Sequence, residues 1–176
     1  MGSMATPEPE ACAVAHGGAT DAAVEQRTLV AVFASPVAEH LLRYGRDLGY
    51  RPVLLEPDPA RAVDLPGVTV VTTIDEAKPD NGTDVVVTDH HRDELGPMLR
   101  DTLAAPVRWI GLMGNARHAG PHHEALAALG VPEQEIARVH RPIGLNIGSR
   151  TPPEIAIATL AGLLAERNGR PGGLTF

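Results

Sequence analysis

From residue 28 onward, short apolar runs of strand length alternate with segments whose apolar residues recur at helical spacing. The runs are Thr28–Phe33, Pro52–Leu55, Val68–Val71, Asp84–Thr88 and Val107–Leu112, with a short sixth candidate at Val139–His140. After the first run, positions 37, 38, 41, 42 and 48 form one apolar helix face, and Gly49 stops it. Further helices are expected at about Asp93–Ala104, within Asn115–Leu129, briefly at Glu133–Arg138, and over Pro152–Arg167. Parallel strands need crossovers, and helical crossovers cover both faces of the sheet. The pattern therefore predicts an α/β protein, a single Rossmann-like doubly wound parallel sheet. The domain is expected over residues 27–170. Residues 1–26 read as a disordered tail opening on an expression scar, Met1-Gly2-Ser3, and 171–176 as a C-terminal tail.

Composition excludes several functions. Aromatic residues make up 3% of the chain, so the core must be built from Val, Leu, Ile and Ala, which suits a sheet buried on both faces. A net charge of −7 argues against nucleic-acid binding. The one lysine, Lys78, lies in a turn-like stretch, which leaves no candidate for a pyridoxal-phosphate Schiff base. The one cysteine, Cys12, precedes the first strand among acidic neighbours. It excludes disulfide stapling and cysteine-based zinc sites, fits a reducing, cytoplasmic compartment, and makes a poor sulfur donor. No apolar run approaches the length of a membrane span.

In doubly wound sheets, ligands bind beyond the carboxyl ends of the strands. The residues to watch are therefore 34–36, Glu56, 89–91, 112–115 and 141–144. The first turn, Phe33-Ala34-Ser35-Pro36-Val37-Ala38, contains no glycine. Dinucleotide folds need G-x-G-x-x-G there so that backbone can approach pyrophosphate, so NAD(P) binding is expected to be weak or absent. Ser35 is expected to cap the following helix, with Pro36 at its first position. Glu56 stands where a ribose-binding acid sits; the alternative is an exposed strand-end acid.

Two later segments point to an anion. In Gly111-Leu112-Met113-Gly114-Asn115-Ala116-Arg117, the glycines Gly111 and Gly114 permit a tight turn, Asn115 can cap a helix and Arg117 can meet an anion. Pro121 either kinks a helix begun at Asn115 or opens a second segment after a break near Gly120. In Arg141 to Ala156, Thr151, Pro152 and Glu154 form a helix start with a capping box. The loop before it carries Gly144, Asn146, Gly148, Ser149 and Arg150, able to offer backbone N–H groups and a guanidinium. A phosphate is expected in the crevice between these two segments. The histidines give no metal motif. His90 and His91 are adjacent and should point apart, Gly120-Pro121 separates His118 from His122, and Ala127 stands where a zincin would place its second histidine. His90 is retained as a crevice residue.

The stretch Trp109–Arg117, then Gly130-Val131, then Pro142–Ala156 resembles the C-terminal Rossmann domain of the XdhC/CoxF family, with the resemblance covering about residues 28–168. The resemblance implies an accessory factor that binds and protects molybdenum cofactor (molybdopterin) and helps its sulfuration and insertion into a molybdenum hydroxylase client, of the xanthine or carbon monoxide dehydrogenase type. This chain departs from the family in the glycine-free first turn, in Asn115 where the family usually has Ser, and in Glu56 where it usually has Asp. The N-terminal domain usual in the family has no counterpart in these residues, so a degenerate or stand-alone member is expected. The competing readings are an NAD(P)- or nucleotide-dependent oxidoreductase and a binding module that has lost its ligand. The final helix is apolar nearly all the way round, so a homodimer or client interface is expected there, unless the tail or a neighbouring helix covers it.

Overall fold

The computed structural model describes residues 27–114 and 120–173. Its strands are β1 (Arg27–Val32), β2 (Tyr50–Leu55), β3 (Thr69–Val71), β4 (Thr83–Val87), β5 (Trp109–Leu112) and β6 (Val139–His140). All pair in parallel, in the order β3-β2-β1-β4-β5-β6. The direction of winding therefore reverses between β1 and β4, the switch point where Rossmann folds open their crevice. The helices are α1 (Pro36–Asp47), α2 (Leu95–Ala104), α3 (Pro121–Ala128), α4 (Glu133–Ile136) and α5 (Pro152–Arg167). A 3-10 turn at Asp75–Ala77, which the sequence pattern did not predict, precedes β4.

Both faces of the sheet are covered. Side chains alternate along each strand. Val30 and Val32 of β1 join Leu95, Leu99 and Leu103 of α2, Leu126 of α3 and Ile136 of α4. Leu29 and Ala31 join Leu41 and Leu42 of α1 and Ala156, Leu160 and Leu163 of α5 on the other face. Each fully buried Leu or Val contributes about 1.5–3 kcal/mol relative to exposure. Gly120 is the N-cap of α3 and Pro121 its first residue, so a break before Pro121 is the outcome of the two alternatives there.

The final helix is better covered than its pattern suggests. Its inner face packs on the sheet and α1. The loop after β6 lies across it, with backbone so close that a Cβ on Gly162 would stand 2.9 Å from Gly144 Cα. Ile157, at 53% exposure, is the large apolar residue of α5 left in solvent. The far end of α5 is tied to the amino end of the sheet. Buried Asp84 accepts from Arg108 Nε at 2.6 Å, Arg167 Nη2 at 2.7 Å and Tyr50 Oη at 3.2 Å. Arg108 also meets Glu166 at 2.6 Å. Burial and the Asp84 carboxylate push the Tyr50 hydroxyl up, so it stays a donor. Among the described residues no helix is long and apolar enough to cross a membrane.

Candidate functional site

The carboxyl edge of the sheet divides into two parts. In the first, around β1, β2 and the switch point, the chain fills its own crevice. Ser35 caps α1 by accepting from Ala38 N–H at 3.1 Å, and its hydroxyl donates to Thr88 Oγ1 at 3.0 Å. The Thr88 hydroxyl donates to the carbonyls of Phe33 at 2.9 Å and Val32 at 3.1 Å, bolting β1 to β4 where the crevice would open. Phe33 holds a left-handed φ of 74°, the backbone shape glycine adopts without strain, yet carries a fully buried ring.

Glu56 completes this closure. It has no exposed surface, and all its contacts are internal. Oε2 accepts from Ala34 N–H at 2.9 Å and Arg92 Nη1 at 3.1 Å, while Oε1 accepts from Asp58 N–H at 3.1 Å and Arg92 Nη2 at 2.8 Å. Burial alone would raise its pKa, but the Arg92 hydrogen bonds, then those from Ala34 and Asp58, hold the carboxyl below the usual range. Hydrogen bonding to Glu56, against burial, in turn raises the Arg92 pKa. The guanidinium lies 4.5 Å over the Phe33 ring and also meets Glu94 at 3.2 Å. At the first turn, the carboxylate of Glu56 thus takes the backbone donor that a phosphate would otherwise meet.

The second part lies at the ends of β4, β5 and β6, and an arginine and two histidines gather there. Arg141 follows β6, and its guanidinium rests on Gly114: a Cβ there would be 2.7 Å from Nε and Nη2. The same arginine passes Gly120, where a Cβ would be 3.0 Å from its Cδ and would clash with the His122 ring. His122 Nδ1 is buried with no hydrogen-bond partner. His90, after β4, is half-buried and hydrogen-bonded to the Met113 backbone, one residue from Gly114. Burial, then His91 and Arg141, pushes the His90 imidazole down, against Asp89 and that hydrogen bond. Burial, then Arg141 and His123, does the same for His122. The start of α3 has no side-chain cap, so its N–H groups add positive potential.

Gly111 serves the same part from below. The Trp109 indole crosses it so closely that a Cβ would clash, and Ile143 Cγ2 would be 3.0 Å away. Trp109 in turn stacks on His140 at 5.3 Å.

The glycine loop before α5 is built differently from the expectation of an open donor set. Gly144 has φ 84°, and a Cβ would press on the α5 backbone 3.1 Å away at Ala158 and Thr159. Leu145 N–H donates to Ala158 O at 3.0 Å. The Thr151–Glu154 capping box forms. Glu154 Oε2 accepts from Arg150 N–H at 2.8 Å and Thr151 N–H at 3.1 Å, and these bonds hold its carboxyl below the usual range. Ser149 Oγ donates to Glu154 O at 3.3 Å. The loop's amides at the helix start therefore serve an internal carboxylate. Asn146, Gly148 and the Arg150 side chain are exposed.

Of the residues singled out from sequence, His90, Gly111 and Gly114 come together at the cationic part. Glu56 lies in the closed part, and Gly144, Asn146, Gly148, Ser149 and Arg150 lie on the α5 loop. Asn115 and Arg117 fall outside the described residues, as do His118 and Cys12. The rings of His90 and His91 do not point apart: their centroids are 4.0 Å apart, because they sit in a turn and not on a strand. Among the described residues no group of three or more His, Cys, Asp or Glu is placed to hold a metal ion. Of the two arginines that organise the edge, Arg141 stood among the residues expected just after a strand, and Arg92 escaped the sequence reading as a site residue. The signal for Arg92 was the need of a buried acid for a cation.

The family model described as the XdhC Rossmann domain matches residues 29–163. Over 99 residues the chain is 37% identical to the protein named uncharacterized protein YqeB of Escherichia coli strain K12, a match covering 56% of this chain and 18% of that one. A solved chain described as a xanthine dehydrogenase from Bacillus halodurans shares the fold, with a TM-score of 0.65 and 20% identity. That superposition covers 82% of this chain and 45% of the other, so the chain spans less than half the length of either relative.

Proposed function

The chain belongs to the XdhC Rossmann-domain family, and from that premise we propose that it is an accessory factor binding molybdenum cofactor, or a related phosphate-bearing ligand, for a molybdenum hydroxylase client in the cytoplasm. The observation that carries this reading is the division of the carboxyl edge. The part a dinucleotide would use is filled by Glu56, Arg92 and Phe33. The part beside it gathers Arg141, His90 and His122 on glycine platforms.

The residues present fit an anionic group. His122 Nδ1 is a buried ring nitrogen without a hydrogen-bond partner, the absence of a Cβ on Gly114 and Gly120 seats the Arg141 guanidinium and the His122 ring there, and Arg141 is the fixed positive charge beside them, with Asp89 the opposing one next to His90. In this reading Arg141, His90 and His122 hold the phosphate of molybdopterin. The bound cofactor supplies redox chemistry to the client enzyme. The protein's own part is to bind, to orient and to shield. Arg141 contributes a fixed charge with paired donors, which suits phosphate oxygens. The imidazoles contribute shorter-range donors whose charge depends on pH.

The second reading, an NAD(P)-dependent oxidoreductase, needs the first turn, and there the Ala34 amide is already bonded to Glu56. Calorimetry with purified molybdopterin and with NAD(P) tests the choice. Molybdopterin is expected to bind, and NAD(P) to bind weakly or not at all. A micromolar dissociation constant for NAD(P), with none for molybdopterin, would reverse the assignment. A homodimer is also proposed, with exposed Ile157 and Ile147 in its interface, and sedimentation equilibrium at micromolar concentration checks it.

A further inference from the structure

We propose that His90, His122 and Arg141 form one oxyanion subsite for a phosphate monoester dianion, and that the imidazoles take up protons as the dianion binds. This rests on the phosphate-bearing ligand of the proposed function, and names the part of the site that holds the phosphate and how its charge is regulated.

Three strand ends converge to make it. His90 comes from β4 and is fixed by the Met113 backbone. Gly114 follows β5 and carries the guanidinium of Arg141, which follows β6. His122 comes from the first turn of α3, and its ring and Arg141 Cδ lie on the same glycine, Gly120. The buried, unpartnered Nδ1 of His122 is the second mark of a ligand. A buried polar atom costs free energy until something meets it.

The charges around the two imidazoles decide the pH dependence. His90 faces His91, Arg141 and Asp89; Asp89 and the hydrogen bond to the Met113 backbone favour its protonation. His122 faces Arg141 and His123, and His123 is itself paired with Glu133 at 2.8 Å. Without an anion, burial and like charge hold both imidazoles below their ordinary pKa. A dianion beside them reverses the local field and favours the imidazolium. Linkage then requires affinity to rise as pH falls through the ordinary imidazole range.

Sulfate is the probe, because it stays doubly charged across that range. Titration of the histidine Cε1 protons by NMR, assigned with His90→Gln and His122→Gln, reads the effect residue by residue. Adding sulfate is expected to move the midpoints of His90 and His122 upward and to leave those of His40 and His123 in place. Arg141→Ala is expected to weaken sulfate roughly tenfold or more, the loss of a charge-assisted contact. Gly114→Ala should weaken it as well, by displacing the guanidinium while keeping its charge. Unmoved midpoints, equal movement of all histidines, or Arg141→Ala binding sulfate like the unaltered chain would overturn the subsite. Molybdopterin calorimetry on the same proteins separates the two claims. Molybdopterin bound equally by Arg141→Ala and the unaltered chain overturns the subsite and leaves the cofactor reading standing. Sulfate binding with the expected shifts, but no molybdopterin binding, overturns the cofactor reading and leaves the subsite.

Discussion

The two parts of the carboxyl edge handle the same problem, backbone and cation potential at strand ends, in opposite ways. Around β1 and β2 the chain supplies its own anion. Glu56 meets the first-turn amide and a guanidinium, and no polar oxygen of that carboxylate is left over. Around β5 and β6 the chain seats an arginine and a histidine on glycines and leaves a ring nitrogen unmet. The difference teaches that the Rossmann topology fixes where a ligand can sit, while single residues decide which part of the edge is open. A glutamate at position 56 and an arginine at position 92 close a crevice that the strand order alone would offer.

The largest effect is expected from breaking the closed part. Arg92→Ala leaves the Glu56 carboxylate buried without its cation, which should cost about 3–5 kcal/mol at neutral pH, read by urea unfolding. The pH dependence has a definite sign. Glu56 is held below its ordinary pKa, so its contribution is fully present above the unfolded value and lost as pH falls through the folded one. The deficit of Arg92→Ala should therefore shrink on acidification, because the unaltered protein loses the contribution that the variant already lacks. A deficit constant from neutral to acidic pH would show that the pair is not what closes this part.

Gly144→Ala tests whether the glycine loop exists for packing. The new Cβ would meet the α5 backbone 3.1 Å away from a left-handed φ of 84°. The expected cost is about 2–4 kcal/mol, combining left-handed strain with overpacking. A loss of sulfate affinity with stability intact would instead make Gly144 a ligand residue. Ser35→Ala removes a helix cap and the donor to Thr88, and should cost about 1 kcal/mol in thermal unfolding, without creating NAD(P) binding. Arg150→Ala is the smallest change. Its exposed side chain should alter stability by less than about 0.5 kcal/mol. Sulfate affinity should change less than with Arg141→Ala, and the reverse order would move the anion site to the α5 loop.

The sheet, its helices and both caps were legible because each rests on local pattern. Apolar runs of strand length, Gly49 after α1, Pro121 and the Thr151–Glu154 box all act within a few residues. What escaped is made of pairs distant in sequence. Glu56 and Arg92 are 36 positions apart, and only the folded sheet sets them 2.8 Å from each other. The packing role of the glycines was hidden for a related reason. Gly144 looked like a phosphate loop, but its missing side chain lets backbone pass over Ala158, a need visible only once α5 is in place. Gly114 was read as the turn of an anion-binding segment, and its bare face holds an arginine from another strand end.

The indole lying across Gly111 makes the protein its own optical reporter. Trp109 is the one tryptophan of the chain, is 7% exposed, and stacks on His140, the residue before Arg141. Indole emission is blue-shifted in such an enclosed setting and is quenched by a charged imidazole in contact with it. Every photon emitted on selective excitation therefore comes from one place, within a residue or two of the cation cluster. Occupancy, proton uptake and any shift of the β6 loop would each register as a change in intensity or colour, with no label attached and in the presence of an unlabelled client.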